Sequence, residues 1–166
     1  MTAPRHTVVD SPLGALTLVA EGDALSGLYF EGHRRGPSPE ALGPRVDEGF
    51  ADARRQLEEY FAGGRRDFDL PLAARGEEFA QRVWKLLEAI PYGETRSYGA
   101  LARRLGDPGL AQAVGAANGR NPLCVIVPCH RVVAADGSLT GYAGGLERKR
   151  FLLDLEESAA GTGRLF

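Results

Sequence analysis

The chain has 166 residues, 43% of them hydrophobic and 25% charged, which is typical of one globular domain or two small ones and excludes a disordered or fibrous chain. Its formal net charge of -2 excludes a strongly basic nucleic-acid-binding protein, although residues 77–156 are more basic than those before them. The two cysteines, Cys124 and Cys129, are too few for a disulfide framework or a cysteine-based zinc site. On a strand they would point to opposite faces, so we expect free thiols.

The first half of the chain predicts a small α/β unit. Three short β-type runs separated by turn sequences predict an antiparallel meander: residues 6–9, 15–20 and 25–31. A Pro- and Gly-rich loop follows over residues 36–44, and apolar residues at helical spacing predict a helix over residues 47–61. We place a domain boundary at Gly76, which makes residues 1–76 the N-terminal α/β domain.

The second half, residues 77–166, predicts a mainly helical domain. Apolar spacing and breaker residues predict four helices: residues 77–90, 98–105, 107–119 and 146–156. Ser97 can cap the second helix, and the short connection through Gly106 to the third is typical of a helix-turn-helix. Residues 157–166 are expected to form a loose tail. The element order predicts an α/β (α+β) fold.

The third helix is unusual because its outer face carries small or uncharged residues. These are Ala111, Gln112, Gly115, Ala116, Asn118 and Gly119. The inner face is a modest apolar stripe of Leu110, Ala113, Val114 and Ala117. Such a helix either approaches another surface closely or is buried on both sides. Its place in a helix-turn-helix favours nucleic acid.

A possible nucleophile lies in Pro128-Cys129-His130-Arg131. A thiol becomes reactive when its thiolate is stabilised, commonly by a neighbouring histidine. Adjacent side chains on a strand diverge, so Cys129 and His130 can act together only on an irregular turn, which Pro128 favours. Taken alone, the Cys-His pair is more often structural. Cys124 is interpreted as a small buried hydrophobe.

Several segments at fixed spacing together resemble the O6-alkylguanine-DNA alkyltransferase family. They are Trp84-Lys85-Leu86-Leu87, Pro91-Tyr92-Gly93-Glu94-Thr95, Ser97-Tyr98, Asn121-Pro122, Ile126-Val127-Pro128-Cys129-His130-Arg131-Val132-Val133 and Gly141-Tyr142-Ala143-Gly144-Gly145. The resemblance is close over residues 77–156 and only coarse before them. It implies a ribonuclease H-like N-terminal domain and a winged-helix, helix-turn-helix-like C-terminal domain. It also implies DNA repair by direct damage reversal, in which the protein acts once. An alkyl group passes from O6-alkylguanine, and also from O4-alkylthymine, to a cysteine of the protein.

The resemblance implies a role for each matching residue. Cys129 would accept the alkyl group, His130 would act as its general base through a water, and Glu156 would orient His130, as in the hydrolase triads. Tyr98 would serve the guanine N3, and Asn121 would tie the helix-turn-helix to the active-site turn. The substrate pocket would be lined by Tyr142, Ala143, Gly144 and Val132. Interpreted without the resemblance, these residues have structural roles only. Glu156 would be a surface charge, Tyr98 a core aromatic and Tyr142 a residue that closes its loop.

Double-stranded DNA is the implied partner, bound through its minor groove with the damaged base flipped out. The residues expected to contact DNA are Gln112, Ala111, Gly115, Ala116, Asn118, Arg96, Arg103, Arg120 and Arg131. Arg131 is also expected to hold the active-site turn by ion pairing. Gln112 departs from the family, which typically has an arginine there to fill the gap left by the flipped base. We expect the wedge role to be weaker here or shared with a neighbour.

We expect no cofactor and no metal. Some relatives carry a structural zinc in the N-terminal domain, but this chain has only His6 and His33 there and no cysteine. The sequence has no apolar run of membrane-spanning length and no signal-peptide core, so a cytoplasmic protein without a membrane partner is expected. It is expected to act as a monomer, with cooperative assembly along DNA left open. Lysine occurs only at positions 85 and 149, which we interpret as compositional bias.

Three other functions are kept as alternatives. A damage sensor of the same superfamily would bind alkylated DNA without transfer, but such relatives lack the acceptor cysteine. A winged-helix transcription regulator that senses modification of Cys129 would bind one operator sequence. A thiol hydrolase using Cys129, His130 and Glu156 would turn over many times.

Overall fold

The computed structural model describes residues 3–32 and 36–160. Its N-terminal part contains a three-stranded antiparallel sheet in the order β1-β2-β3, which confirms the predicted meander. The strands are β1 (Pro4–Val9), β2 (Leu16–Glu21) and β3 (Ala24–Phe30). In β2, Leu16 and Leu18 are fully buried, because alternate side chains of a strand point to the same face. That face forms one side of the core.

Two helices follow the sheet, and both differ from the prediction. Helix α1 (Pro39–Leu42) lies inside the expected loop, with Pro39 in its first turn, where the fixed φ of proline suits a helix. Helix α2 (Ala51–Phe61) begins four residues later than predicted. Asp47 does not enter α2, because its carboxylate accepts a hydrogen bond from Thr7 Oγ1 at 2.7 Å.

The C-terminal part is mainly helical, as predicted. Its helices are α3 (Glu78–Glu88), α4 (Tyr98–Arg104), α5 (Ala111–Gly119) and α6 (Leu146–Ala160). Ser97 Oγ caps α4 by accepting from the Ala100 amide at 3.0 Å. A 3-10 turn at Pro108–Leu110 precedes α5, so the third predicted helix begins later than expected. The fourth extends to Ala160, which makes the expected tail helical over residues 157–160. Residues 161–166, like His33, lie outside the described residues.

Residues 123–127 form a compact turn and not the strand assumed above. The Val127 amide donates to the Leu123 carbonyl at 2.9 Å, and Val125 adopts a φ of 74°, a strained conformation for a β-branched residue. The turn brings the thiols of Cys124 and Cys129 into contact, although both are unbonded. Our expectation of opposite faces was therefore wrong, because it required extended backbone.

A short parallel pairing of two strands, which the sequence did not predict, links the segment before Tyr98 to the segment after Cys129. Strand β4 (Arg96–Ser97) pairs with β5 (Val132–Val133), which sets the start of α4 beside the residues that follow Cys129. The two halves of the chain also share one core. The Leu28 amide of β3 donates to the Pro122 carbonyl at 2.8 Å, so the sheet supports the turn that carries Cys129.

Candidate active site

Cys129 begins a 3-10 turn, Cys129–Arg131, and is 3% exposed. Two buried asparagines hold this turn. Asn121 donates from Nδ2 to the Val127 carbonyl at 2.8 Å and accepts from the Leu123 amide at 3.0 Å. Asn118 donates from Nδ2 to the Cys129 carbonyl at 3.3 Å. The thiol is thus presented on backbone that side-chain hydrogen bonds keep in one conformation.

The surroundings of Cys129 favour its thiolate. The Cys124 thiol lowers the pKa of Cys129 most, followed by the Asn121 amide and the Lys149 ammonium, and together they outweigh burial, which raises it. The same contact, together with burial, raises the pKa of Cys124. The contact between the two thiols therefore favours the thiolate at Cys129 over the thiolate at Cys124.

A buried polar cluster centred on Glu156 lies behind the turn. Glu156 Oε2 lies 2.7 Å from His130 Nε2, and the Arg131 guanidinium donates to both carboxylate oxygens at 2.8 and 2.9 Å. Arg131 also donates to the Ile90 carbonyl at 2.7 Å, and Tyr60 of α2 donates to Glu156 Oε2 at 2.6 Å. We call Tyr60, His130, Arg131 and Glu156 the Glu156 cluster.

Charge within this cluster is distributed so that His130 is neutral beside an ionised carboxylate. Burial lowers the pKa of His130, and the positive charges of Arg131 and Lys149 add to that effect against the pull of Glu156. Burial raises the pKa of Glu156, but the contacts with His130 and Arg131 lower it to about 2. Since a carboxylate only accepts hydrogen bonds, His130 must donate from Nε2. Its buried Nδ1 has no partner within the described residues.

Lys149, one of the two lysines whose rarity we interpreted as compositional bias, is fully buried. Its Nζ donates to the Thr140 carbonyl at 2.6 Å, at the start of the Gly- and Tyr-containing loop. Burial lowers the pKa of Lys149 to about 8, against the opposing charge of Cys129. Lys149 therefore joins the loop to the thiol electrostatically. The rarity of lysine in an arginine-rich chain, which has only Lys85 and Lys149, was the sequence signal for it.

The residues predicted to line a substrate pocket differ in how deeply they are buried and in which groups they contact. Tyr142 is buried beside the two thiols, and burial and these thiols raise the pKa of its hydroxyl. Gly144 lies against Phe30, where a Cβ would come within 2.5 Å of the ring. Ala143 is half-buried and Val132 is fully buried in β5.

Tyr98 bridges the helix-turn-helix and this loop. Its hydroxyl accepts from Thr140 Oγ1 at 3.1 Å. Tyr98 and Lys149 therefore approach the Thr140 segment from two different helices, α4 and α6.

Helix α5 presents part of the predicted DNA-contacting face. Gln112 and Ala116 are exposed, and Ala111 and Gly115 are half-buried. Asn118 was wrongly assigned to this face, because it is buried at 3% exposure and holds the Cys129 carbonyl. Ala113 was wrongly assigned to the core, since it is exposed. The Trp84 indole anchors the inner face by donating to the Ala117 carbonyl at 2.9 Å.

The arginines predicted to contact DNA fall into two groups. Arg96, Arg103 and Arg120 lie at the margins of the helix-turn-helix with at least partly exposed side chains. Arg131 does not belong with them, because it is 6% exposed and bound to Glu156. Its expected role in holding the turn agrees with this geometry, whereas a DNA contact does not.

Sequence reasoning missed Tyr60 and Lys149 in different ways. Tyr60 was recognised only as one of the apolar positions of α2, and helical spacing carries no information about a partner 96 positions away.

Among residues 3–32 and 36–160, no group of three His, Cys, Asp or Glu side chains could hold a metal ion. In the same ranges, no helix has the length and apolar character needed to span a membrane.

Both halves of the chain match models of known protein domains. Residues 5–74 match the ribonuclease-like domain of 6-O-methylguanine DNA methyltransferase, and residues 78–158 match the DNA binding domain.

Individual relatives agree along almost the whole chain. The methylated-DNA--protein-cysteine methyltransferase of Mycobacterium bovis is 53% identical over 157 residues, with 94% of each chain covered. The protein of the same name from Methanosarcina acetivorans is 47% identical, covering 92% of this chain and 98% of its own length. The crystal structure of Mycobacterium tuberculosis OGT in complex with DNA superposes with a TM-score of 0.88 at 52% identity, covering 93% of this chain and 94% of that one.

Proposed function

Because the chain belongs to the 6-O-methylguanine DNA methyltransferase family and repairs DNA by alkyl transfer to a cysteine, we propose that Cys129 is the acceptor. The observation that carries this assignment is the geometry of the turn: Asn118 and Asn121 hold its backbone, and His130, directly after Cys129, bonds Glu156. The lowered pKa of Cys129 agrees with this assignment.

The proposed step is a direct displacement at the alkyl carbon. The Cys129 thiolate forms a sulfur–carbon bond while the bond between that carbon and guanine O6 breaks, and the electron pair leaves with the base. The thiol proton passes to His130 Nδ1 through a bridging water. The departing guanine takes up a proton at N3, for which the Tyr98 hydroxyl is the proposed donor. Solvent then accepts the proton held by His130 and returns one to the Tyr98 oxygen. The products are S-alkylcysteine and guanine, and the protein is consumed because no step restores the thiol.

The pocket roles follow from the positions of the loop residues. Tyr142 and the backbone of Ala143, Gly144 and Val132 are proposed to enclose the flipped base. Lys149 holds this loop in place through its hydrogen bond to the Thr140 carbonyl. O4-alkylthymine presents a comparable alkyl-oxygen bond, so we propose it as a second substrate.

DNA is the partner of the chain, and we propose that α5 enters the minor groove. Small, uncharged side chains such as Ala116 allow close approach of the helix backbone to the groove floor. Gln112, which is exposed, is proposed to fill the space of the flipped base. Arg96, Arg103 and Arg120 would contact phosphates without reading sequence. We propose that the protein acts as a monomer in the cytoplasm, where unbonded thiols persist.

The test is the intact mass of the protein after incubation with a duplex oligonucleotide that contains one O6-methylguanine. We expect a stoichiometric gain of one methyl group, mapped to Cys129 by peptide mass spectrometry. Cys129→Ala should gain nothing, whereas the matched variant Cys124→Ala should still be methylated. Methylation of Cys124, or repeated turnover, would overturn the assignment. Unchanged mass with tight binding would favour a damage sensor.

A further inference from the structure

We propose that Tyr60 of α2 is a positioning residue for the alkyl transfer. Its hydroxyl fixes Glu156 and thereby the nitrogen of His130 that carries the proton. This inference rests on the proposed function, because it concerns the His130 and Glu156 that serve Cys129. It assigns the N-terminal part of the chain a role in the chemistry in addition to its role in folding.

The geometry places three donors on one carboxylate oxygen. Glu156 Oε2 accepts from the Tyr60 hydroxyl at 2.6 Å and from Arg131 Nη2 at 2.9 Å, and it lies 2.7 Å from His130 Nε2. Tyr60 and His130 are both fully buried. Water therefore does not compete for this oxygen, and its three partners determine how much negative charge it directs at His130.

The hydroxyl of Tyr60 must be the donor in its pair. Burial, followed by the charge of Glu156, raises the pKa of Tyr60 well above its ordinary value, so the phenol keeps its proton. With Glu156 ionised and Tyr60 donating, His130 can bond Oε2 only through an Nε2 proton. The neutral ring then has its lone pair on Nδ1, the atom that must take up the Cys129 proton.

Tyr60 also limits how strongly Glu156 attracts the proton of His130. A hydrogen bond to an ionised acceptor disperses its charge. Without the hydroxyl, Oε2 would attract the imidazole proton more strongly and raise the pKa of His130. The other charged groups that face His130 are Arg131 and Lys149, and both lower that pKa. They come from the C-terminal part of the chain, whereas Tyr60 enters from α2.

The Tyr60 ring is held by aromatic neighbours, so its hydroxyl has a fixed direction. The rings of Phe61 and Phe68 each lie 5.3 Å from it, and Tyr92 stands edge-on at 6.2 Å. Tyr92 supplies a matched control. Its hydroxyl is also buried but has no hydrogen-bond partner within the described ranges.

The experiment compares Tyr60→Phe with Tyr92→Phe in the full chain. The single-turnover rate of methyl transfer from an O6-methylguanine duplex is measured at saturating protein from pH 5 to pH 9. For Tyr60→Phe we expect the acid limb to move up by about 0.5 to 1 pH unit, because a stronger carboxylate acceptor raises the pKa of His130. The rate should fall about three- to tenfold on the steep part of the acid limb and little above it, with DNA affinity unchanged. Tyr92→Phe should keep the wild-type profile.

Two results would overturn the proposal. One is a Tyr60→Phe profile that superimposes on that of the wild type. The other is a uniform loss of rate at every pH, which a purely structural role would produce. If Tyr60→Phe does not fold, proton NMR of the Tyr60 hydroxyl in the wild type decides. A hydroxyl proton that is protected from exchange and lies close to the Nε2 proton of His130 supports the proposal, and a rapidly exchanging one refutes it. Failure of Cys129 to gain a methyl group would instead refute the proposed function and leave this NMR test intact.

Discussion

The Glu156 cluster and the exposed face of α5 use side chains in opposite ways. In the cluster, charged groups are almost completely buried, and each is bound by others. On α5, the exposed positions are uncharged and small, and Gln112 is the longest of them. Asn118 joins the two regions, because it belongs to α5 but points inward to the Cys129 carbonyl.

The difference follows from what each surface must do. Proton transfer and thiolate formation need charges in a dry site, where they interact strongly and have no reorganisation to undergo. Close approach of α5 to DNA requires small side chains on the face that meets the DNA. Substitutions in the cluster should therefore be costly and coupled, whereas substitutions on α5 should be mild and additive.

Arg131→Met tests the cluster most severely. Removing Arg131 leaves the buried Glu156 carboxylate without two of its donors, and breaking a buried pair in this way costs about 3–5 kcal/mol. Urea unfolding measures the loss. The control is Arg150→Met, which removes an exposed partner of Asp154 at 4.0 Å and should cost less than about 1 kcal/mol. Similar losses for both variants would contradict the special status of the cluster.

Acid should destabilise the protein in two stages. The lowered pKa of His130 means that the unfolded chain binds a proton near pH 6.5 that the folded chain does not, so stability falls below that pH. Glu156, with a pKa of about 2 against 4.5 when unfolded, contributes stability above pH 4.5 that is lost as the pH falls towards 2. At about 1.4 kcal/mol per pKa unit, the second stage is worth roughly 3 kcal/mol. Urea unfolding at stepped pH measures both.

His130→Asn separates the two stages. It should abolish the decline between pH 6.5 and 4.5 and weaken the decline below 4.5 without removing it, because Arg131 still lowers the pKa of Glu156. A variant that keeps the full upper decline would show that another group is responsible.

Methylation of Cys129 should itself destabilise the chain. The thiol is 3% exposed, and an added methyl group in a tightly packed site costs about 1–3 kcal/mol. Thermal unfolding of the protein before and after reaction with an O6-methylguanine duplex, once the DNA is removed, should show a lower Tm for the product. Coincident melting curves would mean that the turn relaxes without strain.

Lys149→Met tests whether the buried ammonium supports the thiolate. Its loss removes a charge that lowers the pKa of Cys129, so alkylation by iodoacetamide at neutral pH should slow several-fold and its pH profile should shift upward. Lys149→Arg retains the charge and should recover part of the rate. Identical profiles for the wild type and Lys149→Met would rule out the electrostatic role.

Among these substitutions, Gln112→Arg should have the smallest effect, and that effect should be the one that depends most on DNA. An added cation on the exposed face of α5 should tighten DNA binding and increase the salt dependence of binding by about one released counterion. Fluorescence anisotropy at several salt concentrations measures both quantities. Unchanged affinity and repair rate would count against the hypothesis that Gln112 fills the wedge role less effectively than an arginine.

Local sequence patterns predicted most of the secondary structure. The meander and the Ser97 cap depend on short-range alternation and capping, which neighbouring residues control. Errors arose where a distant partner competed. Asp47 bonds Thr7 instead of entering α2, and residues 123–127 turn because Asn121 supplies hydrogen bonds that a strand would otherwise need.

The sequence by itself determined the family, the reactive cysteine as a hypothesis, and the elements that carry it, because residue types at fixed spacings report local chemistry. Only the tertiary structure decided which charges are buried and what faces them. Arg131 and Asn118 turned inward, and Lys149 and Tyr60 reached the site from α6 and α2. Burial makes these groups matter, since a charge or hydroxyl excluded from water must find its partner in the folded chain, and that partner is chosen by packing across the whole molecule.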